Sequence, residues 1–148
     1  MIIAVDDMLW SIDPGNDNME RTVERMKEYI DALKNRYGVE IDLLVDKKIE
    51  KFELNMKLRH EAFLMFKEGI KSLVDAGTRY AQIHIGLDSG KMLFTVQFDN
   101  EEINMQHLHN LLQRHDMEKR LESINAEMKV EIHKSSSLIT LQVPVVQE

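Results

Sequence analysis

Two carboxylates stand out as groups able to do chemistry. Glu68 lies inside an apolar, helix-periodic stretch just after Phe66, and Asp99 ends an alternating run and precedes Asn100. A carboxylate at a strand end is either a functional group or a turn starter. On residue pattern alone the turn takes precedence, because Asp and Asn are common turn residues. The six histidines raise metal ligation, and the densest group is His107-Leu108-His109 with His115. Helix positions two apart do not face each other, so this spacing suits a polar surface better than one ion. His60 falls in a helix and His84 in a strand, where packing or surface roles are expected. Ser135 to Ser137 offer hydroxyls, yet no His and carboxylate accompany them in a recognisable pattern. The chain lacks a glycine-rich phosphate loop, a nucleophile elbow and a zinc-protease helix motif. Most of the ten methionines sit at helical spacing on apolar faces, which points to core filling.

The elements that must position these residues follow from periodicity. Ile2 to Ile12 is apolar, with Trp10 near its end, and reads as the tail of a helix; Pro14-Gly15 breaks it. Asn16 or Asn18 can cap the next helix, with Glu20 and Glu24 near its positive end. Met19, Val23, Met26, Ile30 and Leu33 then recur at spacings of 4, 3, 4 and 3, one buried stripe that Gly38 stops. Val39, Ile41, Leu43 and Val45 alternate as a strand, and Asp46 to Glu53 reads as a charged turn. A second long helix runs from about Asn55 to Asp75, ended by Ala76-Gly77. Two strands follow, through Ala81 to Leu87 and Met92 to Phe98, joined by an Asp88-Ser89-Gly90 hairpin turn. A helical stretch from Ile103 to Ile124 ends at Asn125 or Ala126. Val130 and Ile132 mark a short strand, Ser135 to Ser137 a turn, and Leu138 to Val145 a last strand interrupted by Pro144. This order predicts a two-layer α/β sandwich, a mixed sheet with helices on one face.

Composition bounds the function. With 148 residues, one domain with a core that needs no disulfide is expected. Lys and Arg number 19 against 26 Asp and Glu, a net charge of -7 with no basic patch, which argues against a nucleic-acid partner. The absence of Cys removes disulfides, thiolate nucleophiles and Cys-based zinc sites. No apolar run approaches the ~20 residues that cross a bilayer, and Asp6 and Asp7 interrupt any signal-peptide pattern. The expectation is a cytoplasmic chain, or the cytoplasmic part of a membrane receptor.

Five stretches in order resemble one family. MLWSIDPGNDNMERTVERMKEY, with Trp10, Ile12, Pro14, Asn16 and Asp17, is similar to the end of a dimerisation helix in bacterial sensor histidine kinases of the nitrate-sensor-like subfamily. LRHEAFLMFKEGIKSLVDAG resembles the helix with those kinases' asparagine box. LFTVQFDN resembles the strand of their aspartate-glycine box, MEKRLESINAEMKVEI a later helix and strand, and SSSLITLQVPV the closing strand. The resemblance implies the Bergerat-type ATP-binding fold over residues 15–148, preceded by a dimerisation-type helix end over 1–14.

It also implies roles, and departures from them. Glu68 takes the place of the family's helix glutamate near the phosphates. Ser72 stands where an asparagine holds magnesium, and a hydroxyl differs from an amide carbonyl in reach. Asp75 and Ala76 replace the following lysine and histidine. Asp99 matches the adenine-binding aspartate, but Glu101 and Ile103 replace its glycines, which let backbone approach the nucleotide. Leu111, Leu112 and Gln113 stand near the place of the glycine-rich lid, and Ser136 and Ser137 replace a Gly-Thr pair. The phosphoacceptor histidine would precede Met1. The vestigial nucleotide positions are thus Asp99, Ser72, Ile103 and Ser137, with Ser72 at the metal position. Weak nucleotide binding through Asp99 and neighbours such as Ile103 or Leu111 stays open.

The leading expectation is a degenerate kinase ATPase-like domain with no bound cofactor, signalling by protein contact. An active catalytic domain using ATP and magnesium, or a non-signalling interaction module on the same fold, are the alternatives. Leu9 and Trp10 belong to an apolar end that either packs on the domain itself or pairs with a second copy in a homodimer. A response regulator or kinase is the expected further partner.

Overall fold

The computed structural model describes residues 19–52, 54–99, 104–114, 117–133 and 136–145. The N-terminal segment with Leu9 and Trp10 lies outside them, as do Asn100, Glu101, Ile103 and Ser135. Helix α1 (Met19–Tyr37) buries the expected stripe of Met19, Val23, Met26, Ile30 and Leu33. Gly38, at φ 67°, donates its N–H to Lys34 O and turns the chain into β1 (Glu40–Val45). The segment expected as a turn holds instead a short helix, α2 (Lys47–Glu50). The reason is Ile49, fully buried in the core, which fixes one helical turn between charged neighbours.

Helix α3 (Met56–Asp75) is the central helix. Asn55 caps it by accepting from Leu58 N at 2.9 Å. At its other end Gly77, at φ 114°, lets Thr78 N–H reach back to Leu73 O. Strands β2 (Tyr80–Asp88) and β3 (Lys91–Asp99) form the expected hairpin. Asp88 pairs with Lys91, so Ser89 and Gly90 alone make the turn, both at positive φ, as a type I′ turn requires.

The stretch expected as one helix is two, α4 (Met105–Arg114) and α5 (Met117–Ser123). Asn104 starts α4 by accepting from His107 N at 3.0 Å, and its own N–H bonds Ala76 O, tying α4 to the end of α3. Asn125, at φ 54°, ends α5, and Ala126 N–H returns to Leu121 O. Then come β4 (Glu127–Ile132) and β5 (Ser136–Pro144). Ser136 and Ser137, expected in a turn, begin β5 instead. Ser137 pairs with Phe98 and Ile132, so the two neighbouring strands draw it into the sheet.

The sheet order is β1-β2-β3-β5-β4, with β1 parallel to β2 and every other pair antiparallel. Ala81, Ile83 and Ile85, then Met92, Phe94, Val96 and Phe98, point to the helices and are buried. Gln82, His84 and Gln97 on the other face are exposed. The two-layer α/β sandwich with a mixed sheet is therefore the fold, and its core lies between α3 and the sheet.

Candidate functional site

Helix α3 carries the candidates over the sheet. Glu61 and Glu68 are two turns apart, so they share one helix face. Arg120 of α5 reaches across to both, at 3.3 Å to Glu61 and 3.5 Å to Glu68. The Glu68 side chain is completely buried, whereas Arg120 and Glu61 keep about a fifth of their surface, 20% and 22%. The expected phosphate-side glutamate is thus held in an ion pair that docks α5 on α3. Neither Arg120 nor Glu61 was singled out from the sequence; the seven-residue spacing of Glu61 and Glu68 was the available signal.

Ser72 lies one turn beyond Glu68 and is buried. Its hydroxyl donates to Glu68 O at 2.8 Å, the back-bond that serine makes inside helices. Asp99 sits elsewhere. The pleat that turns Phe98 towards the helices turns Asp99 to the opposite face. There Asp99 Oδ1 accepts the backbone N–H groups of Tyr80 at 2.9 Å and Arg79 at 3.2 Å, closing the entry to β2. Ser137 is on the helix side, buried beside Phe98. Glu68 and Ser72 are therefore together on α3, and Asp99 stands at the end of β3, bonded to the start of β2. Ile103 lies outside the described residues. At the lid position, residues 111–113 continue helix α4.

A cleft opens where α3, α5 and the sheet meet. It is lined by Met65, Phe66, Gly69, Ile70 and Leu73 of α3, Met117 of α5, and Ile83, Phe94, Val96, Met128, Ile139 and Leu141 of the strands. No lining residue is charged or carries a hydrogen-bonding side chain. Its volume is about 60 Å³. An apolar cavity of ~150 Å³ holds benzene, so a purine exceeds this space. A base and triphosphate would also lose their hydrogen bonds to water here without replacement. The cleft is apolar throughout, and residues 100–103, which follow Asp99, lie outside the described residues. Among the described residues no group of three His, Asp or Glu side chains gathers for a metal. His107 and His109 are exposed on α4, and His84 pairs with Asp46 at 3.0 Å on the outer sheet face. No helix among the described residues is long and apolar enough to cross a membrane.

No protein-family model matches the chain, and no curated protein matches it. Solved structures do. The histidine kinase domain of the blue-light activated histidine kinase from Erythrobacter litoralis EL346 aligns over 86% of this chain and 61% of its own, at 14% identity and a TM-score of 0.58. The longer structure of that kinase aligns over 42% of its length, with a TM-score of 0.63. The catalytic domain of the histidine kinase ThkA aligns over 88% of this chain and 96% of its own, at 11% identity and a TM-score of 0.66. The histidine kinase AdeS of Acinetobacter baumannii gives 88% and 66%, at 8% identity and a TM-score of 0.64. The chain thus spans about three fifths of the first and two fifths of the second of these structures. At such identities the likeness is one of architecture: the chain has the fold of the histidine kinase catalytic domain.

Proposed function

We propose that this chain is the ATPase-like module of a sensor histidine kinase system that has lost productive ATP binding and signals by protein contact. The observation that carries this reading is the apolar cleft of about 60 Å³ between α3 and the sheet. In a phosphoryl-transfer site, positioned polar groups and metal ligands do nearly all the work. Here Glu68 is bound to Arg120, Ser72 to its own helix and Asp99 to the backbone before β2. A homodimer formed through the N-terminal segment with Leu9 and Trp10, and a response regulator or kinase as partner in the cytoplasm, complete the proposal.

The full-length kinase ShkA, similar at 9% identity over 31% of its length, was solved in complex with AMPPNP. Calorimetric titration of the chain with ATP, with and without magnesium, therefore tests the reading. The expected result is no heat of binding at millimolar nucleotide under either condition. Binding that strengthens with magnesium would replace this reading with that of an active catalytic domain.

A further inference from the structure

Strand β4 is the edge of the sheet, and among the described residues only β5 pairs with it. Its sequence alternates cleanly. Glu127, Lys129 and Glu131 point to the outer face, and Met128, Val130 and Ile132 to the helix side. That helix side is not covered at its end, for Val130 is 43% and Ile132 64% exposed. Exposed edges with apolar residues are templates for pairing.

We propose that β4 pairs antiparallel with β4 of a second copy of this chain, about a two-fold axis at Val130. Charge selects this register. With Val130 opposite its own copy, each Lys129 faces Glu131 of the partner strand, twice by symmetry, and Met128 faces Ile132. Slipping the pairing by one residue, so that even positions oppose odd ones, would flip one subunit's helices to the other side of the joined sheet. Centring it on Lys129 sets Lys129 on Lys129 and Glu127 on Glu131, and centring it on Glu131 sets Glu131 on Glu131. Centring it on Met128 also opposes Glu127 and Lys129, but confines the pairing to residues 127–129 of the strand and leaves Val130 and Ile132 uncovered; only the Val130 register gives both Lys129 and Glu131 an unlike partner within β4.

The ladder has the right phase. His133 N–H donates to Ser136 O at 3.0 Å, so odd residues of β4 bond towards β5. Met128, Val130 and Ile132 then turn their N–H and C=O groups to the free edge. In the pairing, Lys129 and Glu131 fall at non-hydrogen-bonded positions, where opposing side chains come closest. Val130 and Ile132 are covered, and the apolar layer continues through Met128, which already lines the cleft.

The test is sedimentation equilibrium of the full chain from about 10 µM to about 1 mM, since a short ladder gives a weak dimer. Lys129→Glu sets two pairs of Glu against Glu, and Glu131→Lys sets two pairs of Lys against Lys. On β5 these positions face Thr140 and Leu138, so neither reversal introduces a charge clash within the chain. Each variant alone should dimerise roughly tenfold more weakly than the parent. One reversal makes the chain more acidic and the other less so, hence a net-charge effect would move them in opposite directions. An equimolar mixture of the two variants should recover the parent's affinity as a heterodimer, because every opposing pair is then unlike. Urea unfolding of each variant confirms that the fold is kept. A parent chain that stays monomeric to about 1 mM overturns the proposal. So does self-association, beyond any homodimer held by the N-terminal segment, that is indifferent to both reversals, or a mixture no tighter than its components.

Discussion

Arg120 offers the sharpest test of how α5 is held on α3. Replacing it with Met keeps the aliphatic length and removes the cation between Glu61 and Glu68. Removing one partner of a buried pair costs ~3–5 kcal/mol, against ~0–1 kcal/mol for an exposed one. The Glu68 side chain has no exposure, which places its half of the network in the buried class. The contacts of 3.3 and 3.5 Å are longer than the ~2.7–2.9 Å of the strongest charge-assisted bonds, and Arg120 is 20% exposed. Both facts place the cost at the lower end, about 3 kcal/mol at neutral pH. For a chain of this size that is roughly 6–12 °C in melting temperature. Most of the cost comes from the carboxylate charge left under α5. Adding Glu68→Gln should therefore return about half of it, even though two positions are then changed. Urea unfolding followed by circular dichroism measures both variants. A cost below about 1 kcal/mol for Arg120→Met, or no relief from Glu68→Gln, would refute the buried-charge argument.

Three further outcomes follow from single residues. Gly69 lines the cleft from inside α3, and a Cβ built there meets nothing within 4 Å; Gly69→Ala should raise stability by ~0.5–1 kcal/mol in urea unfolding. Asp99→Ala removes the acceptor for the Tyr80 and Arg79 N–H groups; it should cost about 1 kcal/mol and leave a nucleotide titration unchanged. Burial pulls the Lys71 ammonium down, but the Asp75 carboxylate and Tyr37 outweigh it and hold its pKa above the ordinary lysine range. Because the folded value is raised, its stabilisation is present below about pH 10.4 and is lost as pH rises through the folded value. Comparing Lys71→Met with the parent by urea unfolding should therefore show the parent's advantage shrinking only in strong alkali.

The fold was readable wherever one local pattern decided it. The stripe from Met19 to Leu33, the alternation from Ala81 to Phe98 and the Ser89-Gly90 turn each carry a single consistent signal. Reading failed where a lone residue outweighed its neighbours. Ile49 makes a helical turn out of a charged run, and β3 and β4 pull Ser137 out of an apparent serine turn. The break between α4 and α5 was hidden because both helices carry the same apolar period. The site was harder still. Glu68 and Ser72 were legible as members of a helix box, but Arg120 belongs to a distant segment, and sequence spacing carries no record of that contact. Asp99 was legible as a strand-end carboxylate. Its orientation depends on a one-residue phase that only the burial of Phe98 reveals.

That phase decides the last prediction. If the site had merely decayed, Ser72→Asn with Glu101→Gly and Ile103→Gly would restore magnesium-dependent ATP binding. The geometry predicts that it does not. The orientation of Asp99 is set upstream, because Phe94, Val96 and Phe98 are all fixed in the core and the pleat leaves Asp99 on the far face. None of the three substitutions alters those residues. Asn at position 72 would regain an amide, but that helix position is buried and its neighbouring cleft stays apolar. Glycines at 101 and 103 would free the backbone without creating a polar wall for the base. A folded triple variant, checked by circular dichroism, should therefore give no heat with magnesium and ATP at millimolar concentration. Recovery of binding would mean that the three side chains alone exclude the nucleotide, and that the pleat and the apolar cleft are not what closes the site.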